Sequence, residues 1–286
     1  MNEALAIIVG STFIISIVVG ALWYSRKIRS PQEDLSLASR RSELKEVENT
    51  ISRYNELELS GNPFGFKVPS PTDHLYGREE SLEVIREIIQ EERFINITGV
   101  EGIGKTRLSI QLAHVLKDHF PDGLVFLPIS GIRSPKRFIA RFNEYCTKDF
   151  SNFKDIVEAI QNNRILLFLD DLSPNGELNK LIQLLLDSCP NLKLVATSRN
   201  TSGSSYETQY QLPELTVPEV PEGKFDLELL VESPCIKLYL ETLRNRVPDL
   251  EISSNHVVEI VKICNELNGH PGSVIARANQ VNKAVV

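Results

Sequence analysis

A glycine-rich loop between a strand pattern and a helix pattern constrains the fold more than any other feature. Residues 94–112 read FINITGVEGIGKTRLSIQL, in which Gly99, Gly104, Lys105 and Thr106 satisfy the spacing GxxxxGK[ST]. A short β-rich run precedes the loop, and a helical pattern follows it. Because this order of strand, loop and helix is the context in which the motif binds phosphate, the sequence predicts an α/β domain built around a nucleotide.

The flanking patterns extend this prediction along the chain. In the helix after the loop, Leu108, Leu112 and Val115 are expected to share one face. Predicted strands alternate with helical stretches, which indicates a doubly wound and mostly parallel sheet. These predicted strands lie near residues 94–98, 124–129, 165–169 and 192–197.

Each part of the loop has a chemical role toward a nucleoside triphosphate. Its glycines let backbone N–H groups point at phosphate oxygens, and the following helix adds the positive end of its dipole. Lys105 can reach the β- and γ-phosphates, and the Thr106 hydroxyl can ligate Mg²⁺. The alternative is an accidental glycine turn, which leaves Lys105 without a purpose. The predicted nucleotide-binding residues of the loop are Gly99, Val100, Glu101, Gly102, Ile103, Gly104, Lys105, Thr106 and Arg107.

A second apolar run ends in two adjacent carboxylates. Residues 165–169 are continuously apolar, as in a parallel strand covered on both faces, and Asp170 and Asp171 follow. Ligands of open α/β sheets bind at the carboxyl ends of strands, where the glycine-rich loop also lies. We expect Asp170 to bind Mg²⁺, directly or through water, and Asp171 to orient or deprotonate an attacking water. The alternative is that an aspartate caps a helix after a buried strand.

An arginine follows the strand predicted at residues 192–197. If that strand neighbours the nucleotide-bearing strand, Arg199 can touch the γ-phosphate and stabilise charge in the transition state. An exposed loop arginine is the alternative. The predicted catalytic residues are therefore Lys105, Asp171 and Arg199, and the predicted metal ligands are Thr106 and Asp170.

Composition narrows the classes of partner. The 286 residues carry a net charge of −7, and this acidic balance does not favour binding to nucleic acid. The four cysteines form no CxxC pair, so reduced thiols in a cytoplasm are expected. The five histidines are scattered without HxxxH spacing, which disfavours a metal site made only of protein ligands.

The N-terminal segment predicts a membrane anchor. Residues 4–24 contain no charge and, as a helix, would span about 30 Å, the thickness of the hydrocarbon core. Trp23 and Tyr24 stand where an interfacial aromatic belt belongs, and basic residues follow at positions 26, 27 and 29. The positive-inside rule then puts the N-terminus outside and the rest of the chain in the cytoplasm. A cleaved signal peptide and a buried core helix are the alternatives.

A polar segment connects this anchor to the nucleotide-binding region. Leu44, Val47, Ile51 and Tyr54 have helical spacing, which favours an amphipathic linker helix over a short coiled-coil seam. Glycine and prolines at residues 61–71 then mark a domain boundary. The predicted organisation is a transmembrane helix at 4–24, a juxtamembrane helical linker at 25–72, a P-loop domain at 73–225 and a small helical domain at 226–286.

Taken together, the motifs resemble the STAND class of P-loop ATPases, of the NB-ARC or AP-ATPase type. The resemblance covers roughly residues 73–280 and is carried by the order and spacing of its stretches. These stretches are LYGREESL (75–82), GVEGIGKTRLSIQLA (99–113), ILLFLDDL (165–172), KLVATSRN (193–200), SPCIKLYLETL (233–243) and LNGHPGSVIARA (267–278).

The resemblance implies roles that spacing alone does not give. Leu75 to Arg78 in the first stretch, with Tyr76 and Arg78 as the predicted binding residues, would lie beside the adenine and ribose. Pro271, in the turn of a small ARC-like helical domain, would pack against the base, and Arg199 would sense the γ-phosphate. The implied activity is slow hydrolysis of ATP to ADP with Mg²⁺, with ATP favouring self-association.

This sequence departs from the family pattern at three points. Glu101 stands where the loop often has a small residue, and its negative charge beside an anion site leads us to expect that it points away. His270 stands where the family often has an apolar residue. Family members usually continue into a winged-helix domain and a repeat sensor, and the sequence predicts neither before its last residue, Val286.

Three functions fit these features. The first is a membrane-anchored nucleotide switch that signals or forms oligomers, with copies of itself or another protein as partner. The second is an energy-transducing ATPase of a membrane complex, which predicts rapid turnover. The third is a scaffold that holds nucleotide without hydrolysis, for which replacing Asp171 would change nothing.

Overall fold

The computed structural model of the protein describes residues 64–71, 74–173, 176–219, 227–248 and 252–281. These residues all belong to one compact unit, residues 56–286. The predicted membrane span at residues 4–24 and most of the predicted linker lie outside the described residues. Within the described residues, no helix is both long and apolar enough to cross a bilayer.

The described part of the chain contains one six-stranded sheet. All neighbouring strands are parallel, in the spatial order first, third, fourth, fifth, second, sixth. The strands are β1 (Phe66–Lys67), β2 (Phe94–Thr98), β3 (Gly123–Pro128), β4 (Ile165–Leu172), β5 (Lys193–Ser198) and β6 (Glu207–Gln211). Strand β5 therefore lies between β2, which leads into the glycine-rich loop, and the acidic strand β4.

Helices cover both faces of this sheet. In the described residues before β6 they are α1 (Glu79–Glu91), α2 (Lys105–Leu116), α3 (Pro135–Asn143), α4 (Phe153–Ile160) and α5 (Gly176–Ser188). Helices α1 and α2 pack on one face, and α3, α4 and α5 pack on the other. Local sequence favours these starts: Pro135 occupies the first turn of α3, and the Asn152 side chain caps α4 by accepting the backbone N–H of Asp155.

The central strands are apolar on both faces because both faces are covered. In β3, Val125 and Leu127 join the core beneath α3, α4 and α5, whereas Leu124 and Phe126 join the core beneath α1 and α2. The residues of β4 alternate in the same way. This arrangement explains the continuous apolar runs in the sequence, and it confirms the predicted α/β class with a parallel sheet.

Some sequence predictions were wrong in detail. Strand β4 was predicted to end at Leu169 but continues to Leu172, through a register shift beside β5. Val115 was expected to share one face with Leu108 and Leu112, yet it is 41% exposed and they are buried, because the buried face of α2 is centred on Leu112 and Ala113. The polar strand β6 and the short strand β1 were not predicted.

Four further helices form a third apolar core in the described residues after β6. They are α6 (Leu227–Glu232), α7 (Pro234–Arg246), α8 (Ser254–Glu266) and α9 (Pro271–Ala278). Their core includes Tyr239, Val261 and Val274, all buried. The predicted helix start at Ser233-Pro234 is confirmed. A turn separates the last two helices as predicted, although α9 begins at Pro271, inside the turn predicted at residues 268–272. The limits predicted for the two domains stay predictions.

All four cysteines lie in the described residues and are free thiols. Burial raises the pKa of the Cys146 thiol to about 12 and that of the Cys189 thiol to about 11. Because the thiolate is the reactive form, both side chains are poor nucleophiles in the folded protein.

Candidate functional site

The glycine-rich loop turns from the end of β2 into the start of α2. Gly102 and Gly104 have φ angles of 82° and 103°, which favour glycine because it lacks a Cβ atom. Gly104 precedes Lys105, the first residue of α2, so the N–H groups of the first turn face the loop. The loop therefore has the backbone geometry of an anion-binding site at a helix start.

Lys105 reaches back over this loop. Its Nζ atom donates hydrogen bonds to the carbonyl oxygens of Gly99, at 2.8 Å, and Val100, at 2.9 Å. Burial lowers the pKa of the Lys105 ammonium and nearby Arg199 lowers it further, while the two aspartates after the apolar run and Glu101 act in the opposite direction. The ammonium therefore lies among the charged groups that the sequence predicted for the site.

Asp170 connects the loop to the centre of the sheet. Its Oδ1 atom accepts hydrogen bonds from Thr106 Oγ1, at 2.8 Å, and from Thr197 Oγ1, at 2.7 Å. Thr197 belongs to β5, the strand between β2 and β4. Strand order therefore brings together a hydroxyl and a carboxylate that are 64 residues apart in the sequence.

Asp171 takes a different direction from its neighbour. Its φ angle is 59°, a left-handed conformation that non-glycine residues adopt at a cost of about 1–3 kcal/mol. Its backbone N–H donates to Thr197 Oγ1 at 2.9 Å, and its Oδ2 atom accepts a hydrogen bond from Ser130 Oγ at 2.5 Å. These contacts hold the Asp171 carboxylate in an exposed position at the carboxyl edge of the sheet.

The donor set fits Mg²⁺ held jointly by protein and nucleotide. Thr106 and Asp170 offer oxygen atoms, the ligands that Mg²⁺ prefers, and Mg²⁺ usually takes its other ligands from phosphates and water. In the described residues, no group of three or more histidine, cysteine, aspartate or glutamate side chains forms a metal cage. Thr106 and Asp170 are thus the residues that would hold the ion against bound phosphates.

Arg199 follows β5 and is directed toward the glycine-rich loop. Its Nη2 atom donates to Glu101 Oε2 at 2.6 Å, and both side chains are largely exposed. The sequence predicted that Glu101 points away from the anion site. In the structure its carboxylate pairs with the arginine that is predicted to sense the γ-phosphate.

A cleft lies beside the loop, between the sheet and the helices that follow it. Several of its residues were predicted from the family resemblance, including Tyr76, Arg78 and Pro271. Pro271 is buried as the first residue of α9. The cleft is lined by His74, Leu75, Tyr76, Arg78, Ile103, Gly104, Arg107, Leu215, Leu238 and Pro271.

The Arg78 guanidinium is bonded to the protein's own backbone. It donates to the carbonyl oxygens of Pro213, at 2.6 Å, and Ile103, at 2.9 Å, and the residue is only 2% exposed. Burial lowers the pKa of Arg78. Arg78 thus joins the glycine-rich loop to the segment after β6. The same two hydrogen bonds fix the Arg78 side chain in the wall of the cleft.

The turn before α9 docks directly on the glycine-rich loop. Ser273 donates its backbone N–H to His270 Nδ1, so the ring's proton is on Nε2, which donates to the carbonyl oxygen of Glu101 at 2.9 Å. The backbone N–H of Gly272 donates to the carbonyl oxygen of Gly102 at 3.0 Å. The helices after β6 therefore hold the phosphate-binding loop by its main chain.

Sequence reasoning missed several of these contacts. Ser130 and Thr197 hold the two aspartates, but Ser130 lies outside every stretch that carries the resemblance, and Thr197 lies inside one, KLVATSRN, without having been assigned a role. His270 was noted only as a departure from the family. Leu215 of the cleft carries no signal in the sequence other than its apolar character, and Leu238 lies in the stretch SPCIKLYLETL without having been assigned a role.

Comparisons with known proteins agree with this geometry. Residues 78–219 match the family model of the NB-ARC domain. An uncharacterised protein of Mycobacterium tuberculosis is 24% identical over 200 residues, which cover 68% of this chain and 47% of that protein. A "probable disease resistance protein" of Arabidopsis thaliana is 25% identical over 194 residues, which cover 67% of this chain and 21% of that protein. The chain thus spans about half the length of the mycobacterial relative.

Among solved structures, a STAND protein with a tetratricopeptide repeat sensor from Pyrococcus horikoshii is similar to 73% of this chain. The match covers 30% of that protein, with 18% sequence identity and a TM-score of 0.43. The family model spans β2 to β6 and every residue of the glycine-rich loop and the acidic strand. Residues 78–219 are therefore similar to an NB-ARC domain, a domain of the P-loop NTPase type.

Proposed function

We propose that the protein is a membrane-anchored nucleotide switch that binds ATP or ADP with Mg²⁺ and hydrolyses ATP slowly. The observation that carries the proposal is the hydrogen bond of 2.8 Å between Thr106 Oγ1 and Asp170 Oδ1. It brings the first turn of α2 and the acidic strand to one point, beside the Lys105 ammonium. By resemblance to STAND-class ATPases, ATP binding then favours self-association.

Each site residue has a separate role in the proposed hydrolysis of ATP. Lys105 and the loop N–H groups bind the phosphates, and Arg199 meets the γ-phosphate. Bound Mg²⁺ supplies further neutralisation of charge on the phosphate oxygens. Asp171, held by Ser130, orients a water toward the γ-phosphorus and takes its proton as the bond from phosphorus to the departing ADP oxygen breaks.

Replacing Asp171 with asparagine should separate binding from hydrolysis. We expect the Asp171→Asn variant of the full-length chain to bind ATP with unchanged affinity and to hydrolyse it roughly 100-fold more slowly, because the amide cannot take the proton. Nucleotide binding, phosphate release and mass by light scattering are the measurements. Asp187→Asn is the matched control. Asp187 is an exposed aspartate on α5, and its carboxylate accepts a hydrogen bond from the Tyr206 hydroxyl, as that of Asp171 does from the Ser130 hydroxyl.

The outcomes separate the three candidate functions. Slow hydrolysis with ATP-dependent assembly supports the switch. Rapid turnover by the wild type would favour an energy-transducing ATPase, and ATP retained without hydrolysis or assembly would favour a scaffold. A wild-type chain that binds neither ATP nor ADP would contradict nucleotide binding altogether.

The anchor is a proposal supported by the uncharged run at residues 4–24 and the basic residues after it. We expect the full-length chain to stay in the membrane pellet after alkaline carbonate washing, and a chain without residues 4–24 to appear in the supernatant. Release of the full-length chain by the wash would argue against the span. A protease added outside intact cells should leave the nucleotide-binding region uncut, since the proposal places that region in the cytoplasm.

A further inference from the structure

We propose that Glu101 sets the preference of this site between ATP and ADP by competing with the γ-phosphate for Arg199. The inference rests on the proposed function, because it requires a site that binds both nucleotides. Its starting point is the contact of 2.6 Å between Arg199 Nη2 and Glu101 Oε2, which joins residues 98 apart in the sequence. Glu101 is thus a specificity-determining residue inside the phosphate-binding loop.

Strand order puts Glu101 and Arg199 at the same edge of the sheet. Strand β2 pairs in parallel with β5 from Phe94–Leu194 to Thr98–Ser198, so both strands end at the same level. Glu101 lies in the loop after β2, and Arg199 directly follows β5. The pairing of β2 with β5 therefore places the contact at the end of both strands, beside the loop that would bind the phosphates.

The main chain of Glu101 is fixed from another direction. Its carbonyl oxygen accepts the Nε2–H of His270 at 2.9 Å, and the next carbonyl, that of Gly102, accepts the backbone N–H of Gly272 at 3.0 Å. A Cβ atom at Gly102 would lie 2.9 Å from His270 Cε1, so the two segments are in close contact. The Glu101 carboxylate can therefore leave the site only by rotation of its own side chain.

This arrangement gives the carboxylate and the γ-phosphate the same counter-ion. When ATP binds, Arg199 either leaves Glu101 for the γ-phosphate or stays partly neutralised by Glu101, and both possibilities weaken the attraction for the γ-phosphate. ADP has no γ-phosphate and does not meet this competition. Glu101 therefore lowers the affinity for ATP relative to ADP.

The expected size of the effect follows from solvent exposure. The side chains of Arg199 and Glu101 are 64% and 77% exposed, so water and salt screen their interaction. An ion pair of this kind corresponds to a change of roughly two- to fivefold in affinity. The effect is large enough to bias which nucleotide occupies a switch and small enough to leave both able to bind.

A double-mutant cycle on the full-length chain tests the inference. Affinities for ADP and for a non-hydrolysable ATP analogue are measured for the wild type, Glu101→Gln, Arg199→Gln and the double variant. We expect Glu101→Gln to bind the ATP analogue about two- to fivefold more tightly with unchanged ADP affinity, and we expect Arg199→Gln to abolish this gain. Glu144→Gln is the matched control, because Glu144 forms an exposed ion pair with Arg141 on α3.

Each other result overturns the inference in a recognisable way. An equal gain for both nucleotides would mean that Glu101 acts on the loop as a whole, and a gain that persists with Arg199→Gln would mean direct repulsion of phosphate. Unchanged affinities in Glu101→Gln would mean an ion pair without consequence. These results leave the proposed function intact, whereas a wild-type chain that binds neither nucleotide overturns the proposed function together with this inference.

Discussion

Replacing Lys105 with alanine should weaken the binding of both ATP and ADP by roughly 10- to 100-fold, the range expected for lost charge-assisted hydrogen bonds. Lys105 lies at the first position of α2, and its ammonium extends over the glycine-rich loop to the carbonyl oxygens of Gly99 and Val100. Bound phosphates would draw this ammonium onto their oxygens. Equilibrium binding of each nucleotide to the full-length chain measures the loss.

Lys193→Ala is the matched control for this variant. The Lys193 ammonium also donates to two backbone carbonyls, those of Ile89 and Gln90, and burial lowers its pKa as it does for Lys105. Lys193 is the first residue of β5, at the edge of the sheet opposite the glycine-rich loop. If both variants lost affinity for nucleotide to the same extent, Lys105 would be acting through the stability of the fold rather than by contact with phosphate.

Replacing Gly269 with alanine should lower the free energy of unfolding by about 2–4 kcal/mol. Gly269 has a φ angle of 66°, and a Cβ atom there would lie 2.0 Å from the carbonyl oxygen of Leu215. This clash is with backbone, so no side-chain movement relieves it. The Gly269 carbonyl also accepts the backbone N–H of Leu215 at 3.1 Å, and we expect the substitution to break this link to the helices after β6.

Gly131→Ala separates the clash from the conformational strain. Gly131 has a similar φ angle of 70°, but a Cβ atom there would meet nothing within 4 Å. Its substitution should therefore cost only about 1 kcal/mol, the strain of the left-handed backbone alone. Denaturant unfolding followed by circular dichroism compares the two variants, and equal shifts in midpoint would contradict a specific role for the Gly269–Leu215 contact.

The glycine-rich loop and the acidic strand are the parts of the site that the sequence predicts. Lys105 and Thr106 are neighbours at a helix start, and the glycines before them act through their own backbone, so this part of the site is local. The apolar run before Asp170 likewise identifies a strand covered on both faces. Such features follow from residue spacing, and the structure brings these residues together at the carboxyl edge of the sheet.

Strand β6 shows where the sequence was insufficient. Its residues Glu207–Gln211 read ETQYQ, with no apolar alternation that indicates a strand. It becomes a strand because it pairs with the exposed edge of β2, residue by residue from Phe94–Glu207 to Thr98–Gln211. Glu207 is further held by Asn96 Nδ2 at 2.6 Å and by the backbone N–H groups of Ser202 and Gly203. Residues 207–211 form a strand because they pair with β2 and because Glu207 makes these polar contacts. Both kinds of contact join residues that are distant in the sequence.

The end of β4 has a similar cause. The apolar pattern stops at Leu169, which led to a predicted strand end before the two aspartates. The strand continues because Leu172 is buried and pairs with Ser198 after a register shift. That shift includes the left-handed Asp171, so the two adjacent carboxylates point in different directions. Periodicity alone does not predict a register shift.

The sequence by itself determined the parallel α/β fold, the phosphate-binding loop and the strand that carries the aspartates, because these depend on spacing over a few residues. Only the tertiary structure decided which distant groups share the site. Arg199 meets Glu101 and His270 holds the loop from 169 residues away, contacts that depend on strand order and on the docking of α9. Local propensity carries no information about such pairs, since their energy arises only after the sheet and the helices have packed.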